Sequence, residues 1–196
     1  MYEWSEPVIK IAEEKGIKVD CIDGQKVVKK EIMSRVEKLN PNFIFLNGHG
    51  DSESFYGYEN EVVIETDNAT IFRDKIVFSR ACNCLEKLGK DAVEKHGCKS
   101  FIGYEFEFVN VRQTDIELKP RKDKISEPIW EVSNSVPIGL IKGATVNESV
   151  EASHKKATKE ISRLLFSNEL GAIAVMKAII VNDDGLKYHG DGFAKI

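Results

Sequence analysis

The sequence predicts an α/β fold, a three-layer sandwich in which a mostly parallel sheet lies between helices, with residues 1–196 forming one domain. Three observations carry this reading. Short, continuous apolar runs recur at Phe43-Ile44-Phe45-Leu46, Lys75-Ile76-Val77-Phe78-Ser79 and Ser100-Phe101-Ile102-Gly103-Tyr104, as strands buried on both faces should read. Segments of helical periodicity alternate with them, and repeated strand–helix–strand units imply a parallel sheet covered on both sides. The first two runs end at Asn47-Gly48-His49-Gly50 and Arg80-Ala81-Cys82, the strand ends where ligands of such sheets collect.

Taken in order, residues 5–15 carry Val8, Ile9, Ile11 and Ala12 at helical spacing and stop at Gly16. Ile17-Lys18-Val19-Asp20-Cys21-Ile22 alternates like a strand. Residues 25–39 return to helical spacing through Val28, Ile32, Val36 and Leu39, and Pro41 ends them. The first buried strand, 43–46, follows. Val62-Val63-Ile64 reads as a short strand in a hairpin-like excursion, and 75–79 as the second buried strand. Residues 85–97 form a helix closed by Gly97, and 100–104 the third strand. The polar stretch 105–128, with Lys119-Pro120-Arg121-Lys122-Asp123-Lys124, reads as a long exposed loop. Residues 144–166 form a helix with Val150, Ala157, Ile161, Leu164 and Leu165 on one stripe, capped by Thr145 or Asn147. Ala172 to Val181 fits a helix or a strand. The chain opens on a helix where such a sheet usually opens on a strand, so a first edge strand is expected to be missing.

The composition narrows the function. An apolar share of 42% supports a sizeable core, and a charged share of 31% a soluble surface. A net charge of −4 gives no basis for a nucleic-acid partner. No apolar run reaches the roughly 20 residues of a membrane span, and the start has no signal-peptide pattern. Four cysteines without a dense framework suggest reduced thiols in the cytoplasm. Cys82-Asn83-Cys84 is not zinc spacing, so neither a metal nor a cofactor is expected. A nucleotide-binding reading lacks its glycine-rich phosphate loop.

The two strand ends hold the residues suited to chemistry. A thiol nucleophile needs an imidazole within reach and donors for the oxyanion, and neighbouring strand ends can deliver both from distant positions. Gly48 and Gly50 flank His49, which lets backbone approach a substrate carbonyl. Cys82 otherwise reads as an inert buried thiol, and His96, His154 and His189 as structural.

FIFLNGHG (43–50) followed by KIVFSRAC (75–82), with His49 and Cys82 33 positions apart, resembles the caspase-like cysteine peptidases. That group includes caspases, metacaspases, gingipains, clostripain, separase and CHAT domains. LEKLGKDAVEKHGCKSFIGY (85–104) and LIKGATVNESVEASHKKA (140–157) resemble the later elements of gingipain-like and CHAT-like members. YHGDGFAKI (188–196) resembles their closing Gly-Asp-Pro segment, with Gly192 in place of the proline. The resemblance implies a cysteine endopeptidase acting on protein or peptide substrates, with a regulatory partner in some relatives. It makes Cys82 the nucleophile, His49 its partner and the N–H groups of Gly50 and Cys82 the oxyanion donors. The alternative it leaves open is a non-catalytic binding or scaffold domain of the same fold.

The resemblance also places Arg80, two positions before the cysteine, in the primary substrate pocket. A guanidinium there implies preference for Asp or Glu before the scissile bond. The competing reading pairs Arg80 structurally with Asp51 or Glu105. Asp51 either contributes to the substrate site and orients the pair, or is a turn residue. Cys84 is either a resolving thiol or a packing residue.

Overall fold

The computed structural model describes residues 2–112 and 123–196. Three apolar segments form the parallel part of a four-stranded sheet of order β1-β5-β6-β7. β1 (Phe43–Leu46) pairs in parallel with β5 (Ile76–Ser79), and β5 with β6 (Ser100–Tyr104). β7 (Leu186–Gly190) closes the sheet antiparallel to β6. Every residue of β5 and β6 is buried, which is why both read as unbroken apolar runs rather than alternations. A separate antiparallel sheet joins β2 (His49–Gly50), β3 (Ser54–Tyr56) and β4 (Val62–Glu65).

Side chains on the two faces of the sheet feed different cores. On one face Val77, Phe101 and Leu46 pack with Ile32 of α2 (Lys29–Leu39) and Ala92 of α3 (Lys90–Glu94). On the other, Ile76, Phe78 and Ile102 meet Val136 and Leu140 of α4 (Glu127–Ile141). Val146 and Val150 of α5 (Val146–Leu165) join the same core. α6 (Ala172–Gly185) packs outside α4 and α5, and α1 (Glu6–Glu14) lies against α4 through Val8, Ala12 and Ile141. The α/β architecture with helices on both faces of a mostly parallel sheet agrees with the sequence. No helix among the described residues is long and apolar enough to cross a membrane.

Three expectations are corrected. Residues 17–22 form no strand. Val19 packs with α1 and α4 on one face, and Ile22 with the core of the other. The segment carries the chain between the two faces, and Arg35 of α2 holds Asp20 at 2.9 Å. Ile17 and Cys21, which complete the alternation in sequence, are exposed.

The stretch 105–128 is not an exposed loop throughout. Phe108, Val109 and Val111 pack against the helical core, and Asn182 of α6 bonds both the N–H and the C=O of Val109, at 2.8 and 2.9 Å. Residues 127–128 already belong to α4, while 119–122 of the basic stretch lie outside the described residues.

α4 itself escaped the sequence reading. It is buried on almost every side, so it shows no stripe, and Pro128, Pro137 and Gly139 disguise it. Pro128 sits in the first turn, where a missing N–H costs nothing. The run from Ala172, open between helix and strand, is helical. Residues 85–97 begin with a π-helical turn over Leu85–Gly89 before α3, and Gly97 ends the segment at φ +75°.

Candidate functional site

The parallel register decides how His49 and Cys82 relate. Leu46 and Ser79 are paired residues at the ends of β1 and β5, and the Arg80 N–H continues the ladder to the Leu46 carbonyl at 2.8 Å. His49 and Cys82 each stand three positions beyond those paired ends. Two strands advancing side by side in the same direction thus carry both residues to one edge of the sheet.

Packing brings the two turns together. A methyl group placed on Gly50 would lie 2.7 Å from Cys84 Sγ and 2.9 Å from Ala81 Cβ. The backbone after His49 therefore rests directly on the residues on either side of Cys82. The Leu88 N–H reaches the Ser52 carbonyl at 2.8 Å, and Lys87 pairs with Glu53 at 2.5 Å, tying the same hairpin to the turn after the cysteine. His49 is exposed and Cys82 half-buried. No hydrogen bond joins them among the described residues.

Backbone donors are available at both turns. The Asp51 N–H bonds the Ser54 carbonyl at 2.9 Å. Antiparallel pairs alternate between bonded and non-bonded, so the next pair, Gly50 with Phe55, is non-bonded and the Gly50 N–H points away from β3. The Cys82 N–H makes no backbone hydrogen bond among the described residues, whereas its neighbours Arg80 and Asn83 do. Asn83 takes a left-handed conformation at φ +55°, which turns the chain sharply after Cys82.

Asp51 builds the hairpin that presents His49. Its Oδ1 accepts from the N–H groups of Glu53 and Ser54, both at 2.8 Å, and its Oδ2 accepts from the Tyr56 hydroxyl. Burial works against its ionisation, but these hydrogen bonds outweigh it and hold the carboxyl below its ordinary value. Tyr56 is also the register partner of His49. All three of these bonds therefore serve the hairpin that holds the histidine in place.

Cys84 is a packing residue. It is fully buried in the apolar core on the α2 side, and burial pushes its thiol up to about 12. The choice between the two neighbouring cysteines is thus a choice between a half-buried thiol and a buried, protonated one.

Arg80 continues the facing of Ile76 and Phe78 and points toward α4. It is 1% exposed. Its Nε donates to Ser133 Oγ at 2.8 Å and its Nη2 to Asn134 Oδ1 at 2.5 Å. The guanidinium carbon lies 5.0 Å from the ring centres of both Phe45 and Trp130 and 5.9 Å from that of Phe78. The pairing with Asp51 or Glu105 does not occur: Asp51 serves the hairpin and Glu105 binds Lys187. No described carboxylate faces the guanidinium, and among the described residues its Nη1 has no hydrogen-bond partner. Burial without a counter-charge pushes its pKa down from 12.5 to about 10.

Trp130, Ser133 and Asn134 complete this environment, and the sequence reading did not single them out. A Ser-Asn pair inside an apolar run from 129 to 141 was the available signal, since buried polar residues are retained where something bonds them. Among the described residues no cluster of acids, histidines and cysteines could hold a metal ion. No model of a known protein family matches the chain, and no curated protein sequence matches it.

Proposed function

We propose that this chain is a caspase-like cysteine endopeptidase that cleaves protein or peptide substrates, with Cys82 as nucleophile and His49 as its proton carrier. The observation that carries the reading is the matched position of the two residues, three steps beyond paired strand ends, with Gly50 packed between Ala81 and Cys84. The unspent N–H groups of Gly50 and Cys82 support it, because an oxyanion needs donors not already committed to the fold.

The thiolate of Cys82 attacks the scissile carbonyl carbon, and the two N–H groups receive the charge that develops on oxygen. Collapse of the tetrahedral intermediate breaks the C–N bond, and His49 delivers to the departing amine the proton it took from the thiol. A thioester remains. Water then adds to it, giving up a proton to His49. The acid product leaves, and the proton returns to Cys82. Arg80, a buried cation with a free donor and no counter-charge, supports preference for Asp or Glu before the scissile bond.

The test is covalent labelling by a peptide electrophile ending in aspartate, read by mass spectrometry. The reading expects modification of Cys82 that falls by about 10²-fold or more in His49→Ala. Labelling equal in the two proteins would leave a binding or scaffold domain as the better account. A peptide library then tests specificity, and preference for Arg or Lys at the cleavage position would remove Arg80 from the substrate site.

A further inference from the structure

The segment before α1 lies over the buried guanidinium. Trp4 stacks on Trp130 with ring centres 5.7 Å apart and planes 7° from parallel. Trp130 in turn lies against Arg80. Asn134 grips both partners: its Oδ1 accepts from Arg80, and its Nδ2 donates to the Trp4 carbonyl at 2.8 Å. The next residue, Ser5, accepts a hydrogen bond at 2.8 Å from Asn47, two positions before His49. One short segment therefore touches the surroundings of Arg80 and the histidine turn together, and Trp4 and Ser5 are both buried.

Beneath this segment two donors have no hydrogen-bond partner among the described residues, Arg80 Nη1 and Trp130 Nε1. Both belong to buried side chains, and one carries a charge. A carboxylate is the group that fits Arg80, since it offers an acceptor to Nη1 and a negative charge to a cation that no described carboxylate faces. The covering contacts include one aromatic stack and hydrogen bonds between uncharged groups, each of modest strength. The anchoring contacts lie further on, where Val8 and Ala12 of α1 pack against Ile141. A movement of residues 2–5 would leave these α1 anchors in place.

We infer that residues 2–5 form a lid, with Trp4 at its centre, that closes a carboxylate pocket at Arg80 and must lift before an acidic side chain can enter. The inference rests on the reading of Arg80 as a substrate contact, but its test does not depend on cleavage. The closed lid makes the chain a latent binder, whose apparent affinity is reduced by the fraction of time the pocket stands open.

Trp4 and Trp130 are the only tryptophans in the sequence, so tryptophan emission reports on this site alone. The experiment titrates the full chain, carrying Cys82→Ala, with N-acetyl-aspartyl-N-methylamide and with its lysyl counterpart. Trp4→Ala should bind the aspartyl compound about tenfold or more tightly than the chain with its lid intact. The lysyl compound should not bind, and adding Arg80→Gln should abolish the gain. Equal affinity with and without Trp4, no binding by either chain, or a gain that survives Arg80→Gln would overturn the lid.

Hydrogen exchange on the chain with Trp4 in place guards against a folding defect in the variant. Saturating aspartyl compound should speed exchange at residues 2–5, and unchanged or slower exchange overturns the proposal. Cleavage is assayed separately with Cys82 present. If the pocket opens as expected and no aspartyl peptide is cut, the peptidase reading fails and the lid stands. Cleavage indifferent to Trp4 fails the lid alone.

Discussion

Gly50→Ala tests the geometry on which the site rests. The added methyl group would stand 2.7 Å from Cys84 Sγ, 2.7 Å from the Ser54 carbonyl oxygen and 2.9 Å from Ala81 Cβ. These are three contacts well inside normal packing distance, with one backbone atom among them, so the β2–β3 hairpin must move off the cysteine turn. Overpacking of this kind costs about 1–3 kcal/mol. Displacing a reacting group by around 1 Å can cost about 10²-fold in rate. Urea denaturation should show the stability loss, and the rate of Cys82 labelling by a peptide electrophile the functional one. Cys84→Ala opens space for one of the three contacts. The double variant should therefore be more stable than the two single losses predict, by about 1 kcal/mol in a double-mutant cycle. Rescue stays partial because the Ser54 carbonyl and Ala81 remain. Wild-type stability and labelling rate in Gly50→Ala would refute the packing of the histidine hairpin on the cysteine turn.

Two further outcomes follow from the titrating groups. His154 of α5 bonds Asp183 of α6 at 2.8 Å, and this bond raises its pKa, with burial opposing. A raised pKa contributes stability fully present below the unfolded value of about 6.5 and lost as pH rises through the folded value. Urea midpoints should therefore favour the wild type over Asp183→Asn at pH 5.5 more than at pH 8, by a few tenths of a kcal/mol for a pair this exposed, and an equal gap at both pH values would contradict the assignment. Burial pushes the thiols of Cys84 and Cys98 up to about 12, so iodoacetamide at pH 8 should modify Cys21 and Cys82 in the folded chain and spare the other two. Modification of Cys84 as fast as Cys82 would show that the turn is open.

What the sequence disclosed and what it concealed divide along physical lines. β5 and β6 were legible because a strand buried on both faces must be largely apolar, and the half-buried β1 reads the same way. His49 and Cys82 were legible because they follow those strands directly. α4 was hidden by the same logic turned round: burial on nearly all sides erases the stripe by which a helix announces itself, and its prolines point to a loop. The segment 17–22 misled because its apolar residues alternate in sequence although only Val19 and Ile22 are partly buried, one toward each face of the sheet. The setting of Arg80 had no local signature. It joins Trp4, Phe45, Trp130 and Asn134, which only the folded chain brings together.

Arg80 is also the residue that stability explains least. A guanidinium buried this deeply, with no described carboxylate beside it, is disfavoured by desolvation, which pushes its pKa down to about 10. Apolar replacements for buried charges are often neutral or stabilising. A methionine at position 80 would fill the same space among Phe45, Phe78 and Trp130 without a desolvation penalty, and Ser133 Oγ would keep its bond with the Tyr104 hydroxyl at 2.8 Å, but Asn134 Oδ1 would lose its donor. These ring contacts and two neutral hydrogen bonds are all that the described residues offer the cation. A cation whose free donor waits under a liftable segment, beside the strand end that carries Cys82, does have a reason if an anion enters from outside. On the proposed reading, the side chain that would read an acidic residue is the same one that Trp4 and Trp130 cover.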